Sequence, residues 1–168
     1  MPLTKIRLNQ FSRISLDQYT TLVMVSGSYN QLRDSDIEKI KDWVGKGNTL
    51  ITIARGSSWA INKKIVDETL VKGKKDTVFS RKNYVDAREN IGRERIGGVI
   101  LSVDIDLTHP LAFGYNDLSI PVYKNNNVFI NKTSDNYSSV AIYSEDAHID
   151  GYISKNNLKN FIPGSASL

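Results

Sequence analysis

The sequence has no cysteine and only two histidines among its 168 residues. The absence of cysteine excludes disulfides, thiolate metal sites and a cysteine nucleophile in this chain. His109 and His148 are the only imidazoles, and neither is followed by glutamate three positions later, so the ligand pair of a zinc peptidase is missing. We therefore expect no metal site and no cofactor in this chain.

Long hydrophobic runs are also missing. The longest, residues 22–25 and 97–101, have the length of a strand, whereas a membrane-spanning helix needs about 18 apolar residues. The first residues lack the basic segment and long apolar segment of a signal peptide. The sequence predicts no membrane association, and a signal for export would have to lie outside this piece.

The charge is unevenly distributed along the chain. Its net value is +4, and residues 55–95 hold eleven Lys and Arg against six Asp and Glu. A polyanion-binding surface is one interpretation, and it would use Lys63, Lys64, Lys72, Lys74, Lys75, Arg81 and Lys82. Acidic and basic residues alternate in this region, which instead favours a solvated helix and loop and argues against nucleic acid as a partner.

The first half of the chain predicts a strand–helix–strand unit. Residues 20–26 are a β-branched and aliphatic run that stops at the turn-rich residues 27–30. Ser35 and Glu38 predict a capping box at the start of a helix, which ends at Gly45 and Gly47. Residues 49–54 predict a second strand with both faces covered. A crossover helix of this kind is typical of parallel strands.

Weaker patterns follow and precede this unit. Ser57 or Ser58 predicts the cap of a short helix through residue 65, and residues 67–95 predict an exposed connection with a helix over 82–90. We expect further strands at residues 98–104, 120–123, 127–131 and 140–143, a helix at 155–161 and an edge strand at 5–8.

Several segments carry a resemblance to a known family. They are residues 16–29 (LDQYTTLVMVSGSY), 43–51 (WVGKGNTLI), 95–98 (RIGG), 106–115 (DLTHPLAFGY) and 151–154 (GYIS). In this order they resemble the class I glutamine amidotransferase-like, flavodoxin-like domain that follows the peptidase domain in large bacterial zinc carboxypeptidases. The resemblance implies one α/β domain over residues 1–168, with three layers and a mainly parallel sheet, trimmed at both ends.

The resemblance also implies a setting for the chain. The parent protein would be secreted or periplasmic, and zinc would belong only to its peptidase domain, which is absent from this chain. We expect that peptidase domain to be the partner. A parallel sheet that lacks a strand exposes unpaired edges, so self-association through sheet edges is a further expectation.

Amidotransferases of this class carry a cysteine nucleophile on a tight turn between a strand and a helix. Residues 52–59 correspond to that turn, and Ser57 stands where the cysteine would be. In residues 56–60 the Gly-x-Ser-x-Gly pattern, which would centre on Ser58, is not matched, because Ala60 fills the final glycine position. Ser57 and Ser58 are interpreted as helix caps, with Ser57 as the alternative nucleophile.

Two other places offer polar groups. His109 is the one plausible base for Ser57, and Asp104 or Asp106 could orient it, although a packed turn is the favoured interpretation. His148 has acidic neighbours but lacks the spacing of a calcium loop. Ser26 and Gly27, after the first strand, could bind an anion together with Ser58.

These observations predict a non-catalytic accessory domain of a larger zinc carboxypeptidase-like protein. Two alternatives stay open: a serine-dependent, amidase-like hydrolase that uses Ser57 and His109, and a polyanion-binding module.

Overall fold

The computed structural model describes residues 3–72, 83–86, 92–133, 135 and 137–167. The chain divides into two compact units, Met1–Asp67 (unit 1) and Glu68–Leu168 (unit 2). Each of the two sheets lies within one unit. A single domain over residues 1–168 stays a prediction.

Unit 1 contains the predicted strand–helix–strand motif. Its elements are a 3-10 helix at Leu8–Arg13, β1 at Thr21–Met24, α1 at Asp34–Gly45, β2 at Thr49–Thr52 and α2 at Arg55–Asn62. The two strands pair in parallel, with Thr21 opposite Thr49 and Met24 opposite Thr52. Helix α1 is the crossover between the two strands. The parallel pairing predicted from the sequence is confirmed for this unit.

Within unit 1, the described residues cover one face of the sheet. Leu22, Met24 and Leu50 join the core, to which α1 contributes Ile40 and Trp43. The opposite face carries apolar side chains that remain half exposed: Val23 (48%), Val25 (59%), Ile51 (45%) and Ile53 (49%). Successive side chains of a strand point to opposite faces, so the apolar runs supply two apolar faces, only one of which is covered. The expectation that both faces of the second strand are buried was wrong.

Helix α1 starts earlier than its sequence predicts. Its N-cap residue is Arg33, whose backbone N–H donates to the buried carboxylate of Asp36 (3.0 Å). The hydroxyl of Ser12 donates to the same oxygen (3.0 Å). The Ser35–Glu38 capping box was wrong, because Glu38 pairs with Lys41 instead (2.9 Å). The helix ends at Gly45 as predicted.

Unit 2 is built on a five-stranded sheet. The strands are β3 (Gly98–Ile105), β4 (Ser119–Lys124), β5 (Ile130–Asn131), β6 (Ala141–Tyr152) and β7 (Ser165–Ala166), in the order β4-β3-β6-β7-β5. Every pairing in this sheet is antiparallel. A helix α3 (Lys155–Asn160) precedes β7, and its N-cap Ser154 accepts the N–H of Asn157 (3.1 Å).

This sheet overturns the predicted fold class. The three-layer flavodoxin-like architecture with a mainly parallel sheet was wrong, because the larger sheet is antiparallel and the parallel sheet has two strands. In β3, Val99, Leu101 and Val103 are buried, while Ile100 and Asp104 are exposed. Such alternation is typical of an antiparallel sheet with one face on the core, whereas interior parallel strands are covered on both faces.

Strand β6 is three times longer than the predicted segment 140–143. It continues through the acidic residues around His148, and its register against β3 shifts twice. Gly151, at φ +89°, lies so close to β3 that a Cβ there would be 2.8 Å from the carbonyl oxygen of Gly98. The close approach of the two backbones needs glycine at this position.

Several local predictions differ in smaller ways. The edge strand at residues 5–8 was wrong, since a 3-10 helix begins at Leu8. The segment 127–131 keeps only β5 as strand. Most of the predicted helix 82–90 lies outside the described residues, and Tyr84–Asp86 is a 3-10 helix. Among the described residues, none of the helices has the length and apolar character to span a bilayer.

Candidate functional site

The turn between β2 and α2 contains Ala54, one of two non-glycine residues with positive φ among the described residues of unit 1; the other is Lys64. Ala54, the N-cap residue of α2, has φ 52° and ψ −111°. A residue other than glycine in such a region carries about 1–3 kcal/mol of strain. A sharp, strained turn from a strand into a helix is also the place where nucleophile elbows expose their reactive side chain. The backbone therefore resembles an elbow centred on Ala54.

Gly56 also supports an elbow centred on Ala54. A Cβ on Gly56 would lie 2.7 Å from the carbonyl oxygen of Met24 and 3.3 Å from that of Val25. The start of α2 thus presses on the end of β1, which only glycine permits. In the Gly-x-Ser-x-Gly pattern the last glycine stands two residues after the nucleophile. Matching Gly56 to that glycine places Ala54 at the nucleophile position, with Thr52 at the first glycine position.

Ser57 lies three residues beyond the strained position, in the first turn of α2. Its hydroxyl donates to the carbonyl oxygen of Thr52 (3.1 Å) and accepts from the Thr52 hydroxyl (3.0 Å). These bonds tie the helix to the end of β2. Helix α2 begins at Arg55, with Ala54 as its N-cap residue and no side-chain cap. The predicted caps at Ser57 and Ser58 were therefore wrong, because both residues lie inside the helix.

The predicted serine and histidine lie in different units, Ser57 in unit 1 and His109 in unit 2. Nδ1 of His109 accepts the backbone N–H of Leu111 (3.1 Å), which caps the 3-10 helix Pro110–Ala112. This contact is local to the turn, in which Leu111 and Phe113 are exposed, so the turn is not packed as the sequence favoured. Unit 1 contains no histidine, so within that unit Ser57 has no imidazole base.

The two carboxylates near His109 have other partners. Asp106 accepts from the Thr108 hydroxyl (2.6 Å) and the Thr108 N–H (2.9 Å). These hydrogen bonds, and then the charge of His109, lower the pKa of the Asp106 carboxyl. Asp104 accepts from the hydroxyl of Ser144 (2.7 Å). Both carboxylates are thus committed to turn or cross-strand hydrogen bonds.

The remaining candidates are on the surface. Just after β1, Ser26 is exposed and Gly27 is half-buried, and the Tyr29 hydroxyl donates to the carbonyl oxygen of Val25 beside them. Nε2 of His148 lies 2.7 Å from the carbonyl oxygen of Gly151. In the part of the chain that the structure describes, no three His, Asp or Glu side chains come together in a group that could hold a metal ion.

The basic residues proposed for polyanion binding are only partly described. Lys63, Lys64 and Lys72 are exposed. The other four, Lys74, Lys75, Arg81 and Lys82, lie outside the described residues. The polyanion-binding module therefore stays a prediction.

One buried cation escaped the sequence analysis. Lys124, at the end of β4, is 6% exposed, and its Nζ donates to the carbonyl oxygen of Val128 (2.6 Å). The amine lies over the rings of Phe129 (4.7 Å to the ring centre) and Tyr143 (5.8 Å). Burial lowers its pKa to about 8. The sequence carried a signal for this burial, because Lys124 alternates along β4 with Ile120 and Val122 and so lies on the same inward face.

Comparison of the chain with protein-family models, with curated proteins and with solved structures found no match.

Proposed function

We propose that this chain is a non-catalytic accessory domain that acts by binding another polypeptide. The observation that carries the proposal is Ala54, a methyl group at the point of the strained turn where an elbow presents its nucleophile. A methyl group can neither attack a carbonyl nor exchange a proton. The turn has the backbone conformation of a nucleophile elbow but no reactive side chain at its centre.

The surroundings of Ser57 support the same proposal. A serine nucleophile needs a general base in contact with its hydroxyl. The Ser57 hydroxyl instead exchanges hydrogen bonds with Thr52, and unit 1 offers no imidazole. These hydrogen bonds hold α2 to the end of β2, which is a structural role for the Ser57 hydroxyl.

The proposal extends to the parent protein. We place this domain in a secreted or periplasmic, bacterial zinc carboxypeptidase-like protein, whose own peptidase domain would hold the zinc and be the partner. Support comes from the order of the resembling segments and from the strand–helix–strand–turn arrangement of unit 1. The antiparallel sheet of unit 2 gives the resemblance no support.

Covalent labelling tests the absence of catalysis. The full chain is incubated with a fluorescent alkyl phosphonate that reacts with activated serines, beside the Ser57→Ala variant and a serine hydrolase as positive control. We expect equal background signal from the chain and its variant. Stoichiometric labelling that disappears in Ser57→Ala would contradict the proposal and favour the serine-dependent hydrolase.

A cysteine introduced at the elbow tests the alignment itself. Because the chain has no cysteine, Ala54→Cys carries a single thiol at the N-terminus of α2, where the helix dipole lowers a thiol pKa. Asn62→Cys, at the exposed end of the same helix, is the matched control. We expect iodoacetamide to alkylate Ala54→Cys about tenfold faster at pH 7. Equal rates would show that Ala54 is not the elbow position.

A further inference from the structure

Strand β1 has an open hydrogen-bonding edge. Among the described residues it pairs with β2 alone. On that side the carbonyl oxygens of Thr20 and Met24 accept the N–H groups of Thr49 (3.0 Å) and Ile53 (2.9 Å). Peptide groups alternate in direction along a strand, so the N–H and C=O groups of Thr21 and Val23 point to the opposite edge. These are the groups that another strand would use.

A groove of about 740 Å³ lies along this edge. It is lined by Thr21–Val25 together with residues 3–6 and Leu8 of the N-terminal segment. Phe11 and Tyr29 add aromatic surface. The lining is mostly apolar, and its size falls within the range of about 300–1,000 Å³ that is usual for binding sites. An apolar groove beside open backbone groups suits an extended peptide better than a compact ligand.

The sheet of unit 1 would gain stability from a third strand. An isolated two-stranded sheet is marginal in water. Packing of α1 against one face stabilises the sheet of unit 1, and a third strand would add main-chain hydrogen bonds and apolar contacts to it. The half-exposed face of the sheet presents Val23 and Val25 next to the open edge. An added strand with apolar residues at alternate positions would place them beside these side chains on the same face.

Charge distinguishes between possible occupants. Of the described residues that line the groove, Lys5 alone is charged, and none of them carries a carboxylate. Unit 1 carries ten Lys and Arg against six Asp and Glu, whereas unit 2 carries twelve of each. A second copy of unit 1 would bring the same positive excess to the interface. A strand with an acidic group would complement it.

We propose that the groove along β1 binds an extended peptide strand of a partner protein, apolar at alternate positions and acidic at one end. Main-chain hydrogen bonds to Thr21 and Val23 would supply affinity, and Lys5 would receive the acidic group. The inference rests on the proposed binding role of the domain and names the chemistry of its partner.

The test uses the full chain and fluorescein-labelled peptides of about six residues that alternate valine and threonine, with glutamate at one end or the other. Fluorescence anisotropy measures binding. Matched peptides carry lysine in place of glutamate, or N-methyl groups on the residues that would face β1. We expect saturable binding of one glutamate peptide, at least tenfold weaker binding of its N-methylated form, and about fivefold weaker binding of its lysine form.

Two variants locate the site. Lys5→Glu should weaken binding of the glutamate peptide about fivefold and improve that of the lysine peptide, whereas Lys63→Glu, an exposed charge outside the groove, should change neither. Circular dichroism confirms that both variants are folded. A lack of binding at about 1 mM peptide, or equal binding of the N-methylated form, would overturn the proposal.

Light scattering tests whether a second copy of the chain occupies the groove instead of a peptide. A dimer of the full chain that is weakened by Val23→Pro, which removes one edge donor, would assign the groove to a second copy and overturn the peptide proposal. Failure here is separate from failure of the proposed function, because phosphonate labelling reports on catalysis and does not depend on the groove.

Discussion

At the scale of single residues, Gly56 is the position where the packing of unit 1 tolerates no side chain. Gly56→Ala places a Cβ 2.7 Å from a backbone oxygen of β1, so we expect the free energy of unfolding to fall by about 1–3 kcal/mol. Urea denaturation followed by circular dichroism measures it. Gly45→Ala is the control, because its Cβ meets nothing within 4 Å and should add about 0.5–1 kcal/mol. Equal effects would contradict the close approach.

Ala54 gives the opposite expectation for a glycine. Ala54→Gly relieves a backbone conformation that L-residues rarely adopt, and the relief exceeds the entropy that glycine adds to the unfolded chain. We expect a gain of about 1 kcal/mol in the free energy of unfolding. Ala60→Gly, inside α2, should lose about 1 kcal/mol. If both variants lose stability in thermal or urea unfolding, the turn is not strained.

The candidate site was only partly visible in the sequence. The turn after the second strand was located correctly, because a strand followed by glycine and serine signals a change of element. Ser57 drew attention since it has a hydroxyl, whereas Ala54 has no functional group and its dihedral angles depend on how α2 packs on β1. Lys124 was missed because an isolated lysine is exposed by default.

At the scale of secondary-structure elements, α1 depends on a carboxylate from inside its first turn. Asp36→Ala removes the acceptor of both the Arg33 N–H and the Ser12 hydroxyl. We expect a loss of about 1–2 kcal/mol in the free energy of unfolding, measured by urea denaturation. Glu38→Ala breaks only the exposed pair with Lys41 and should cost less than about 0.5 kcal/mol. A larger loss for Glu38→Ala would restore the capping box predicted from the sequence.

Strand β3 is an interior strand of the unit 2 sheet, with β4 on one side and β6 on the other. Leu101 is fully buried there, so Leu101→Ala should leave a cavity and cost about 2–5 kcal/mol. Leu118→Ala removes the same atoms from a side chain that is 69% exposed and should change stability by less than about 0.5 kcal/mol. The comparison fails if thermal melts of the two variants coincide.

The elements themselves were predicted better than their pairing. Helix α1, strand β3 and helix α3 all lie where hydrophobic spacing and turn residues put them. The direction in which two strands pair depends on contacts between residues far apart in the chain, such as Val103 with Tyr143. A local pattern contains little of that information, so the confirmed parallel pair in unit 1 did not extend to unit 2.

At the scale of the whole molecule, Lys124 links global stability to pH. Its pKa is lowered from 10.5 to about 8 by burial, so above pH 8 the folded chain has released a proton that the unfolded chain still holds. The free energy of unfolding should therefore rise with pH, by about 2 kcal/mol between pH 8 and 9.5. Above about pH 10 the trend should weaken, because burial raises the pKa of Tyr143 and Tyr29 and their unfolded forms ionise first.

Urea denaturation at several pH values measures this slope. Lys124→Met keeps a flexible chain of similar size without the amine, and its stability should lack the contribution of Lys124 over the same window. The difference between the two chains, plotted against pH, isolates that group from other titrations. Parallel curves would mean that Lys124 is not buried as described.

The irregular pairing of β6 has a practical consequence. Between the pairs Val103–Tyr143 and Leu101–His148, β3 advances by two residues while β6 advances by five. The extra residues of β6 form a bulge, in which Glu145 and Asp146 are exposed. The strand pairing continues on both sides of this bulge, so it already accommodates additional residues. We therefore expect the bulge to be the best insertion point for an epitope tag in unit 2.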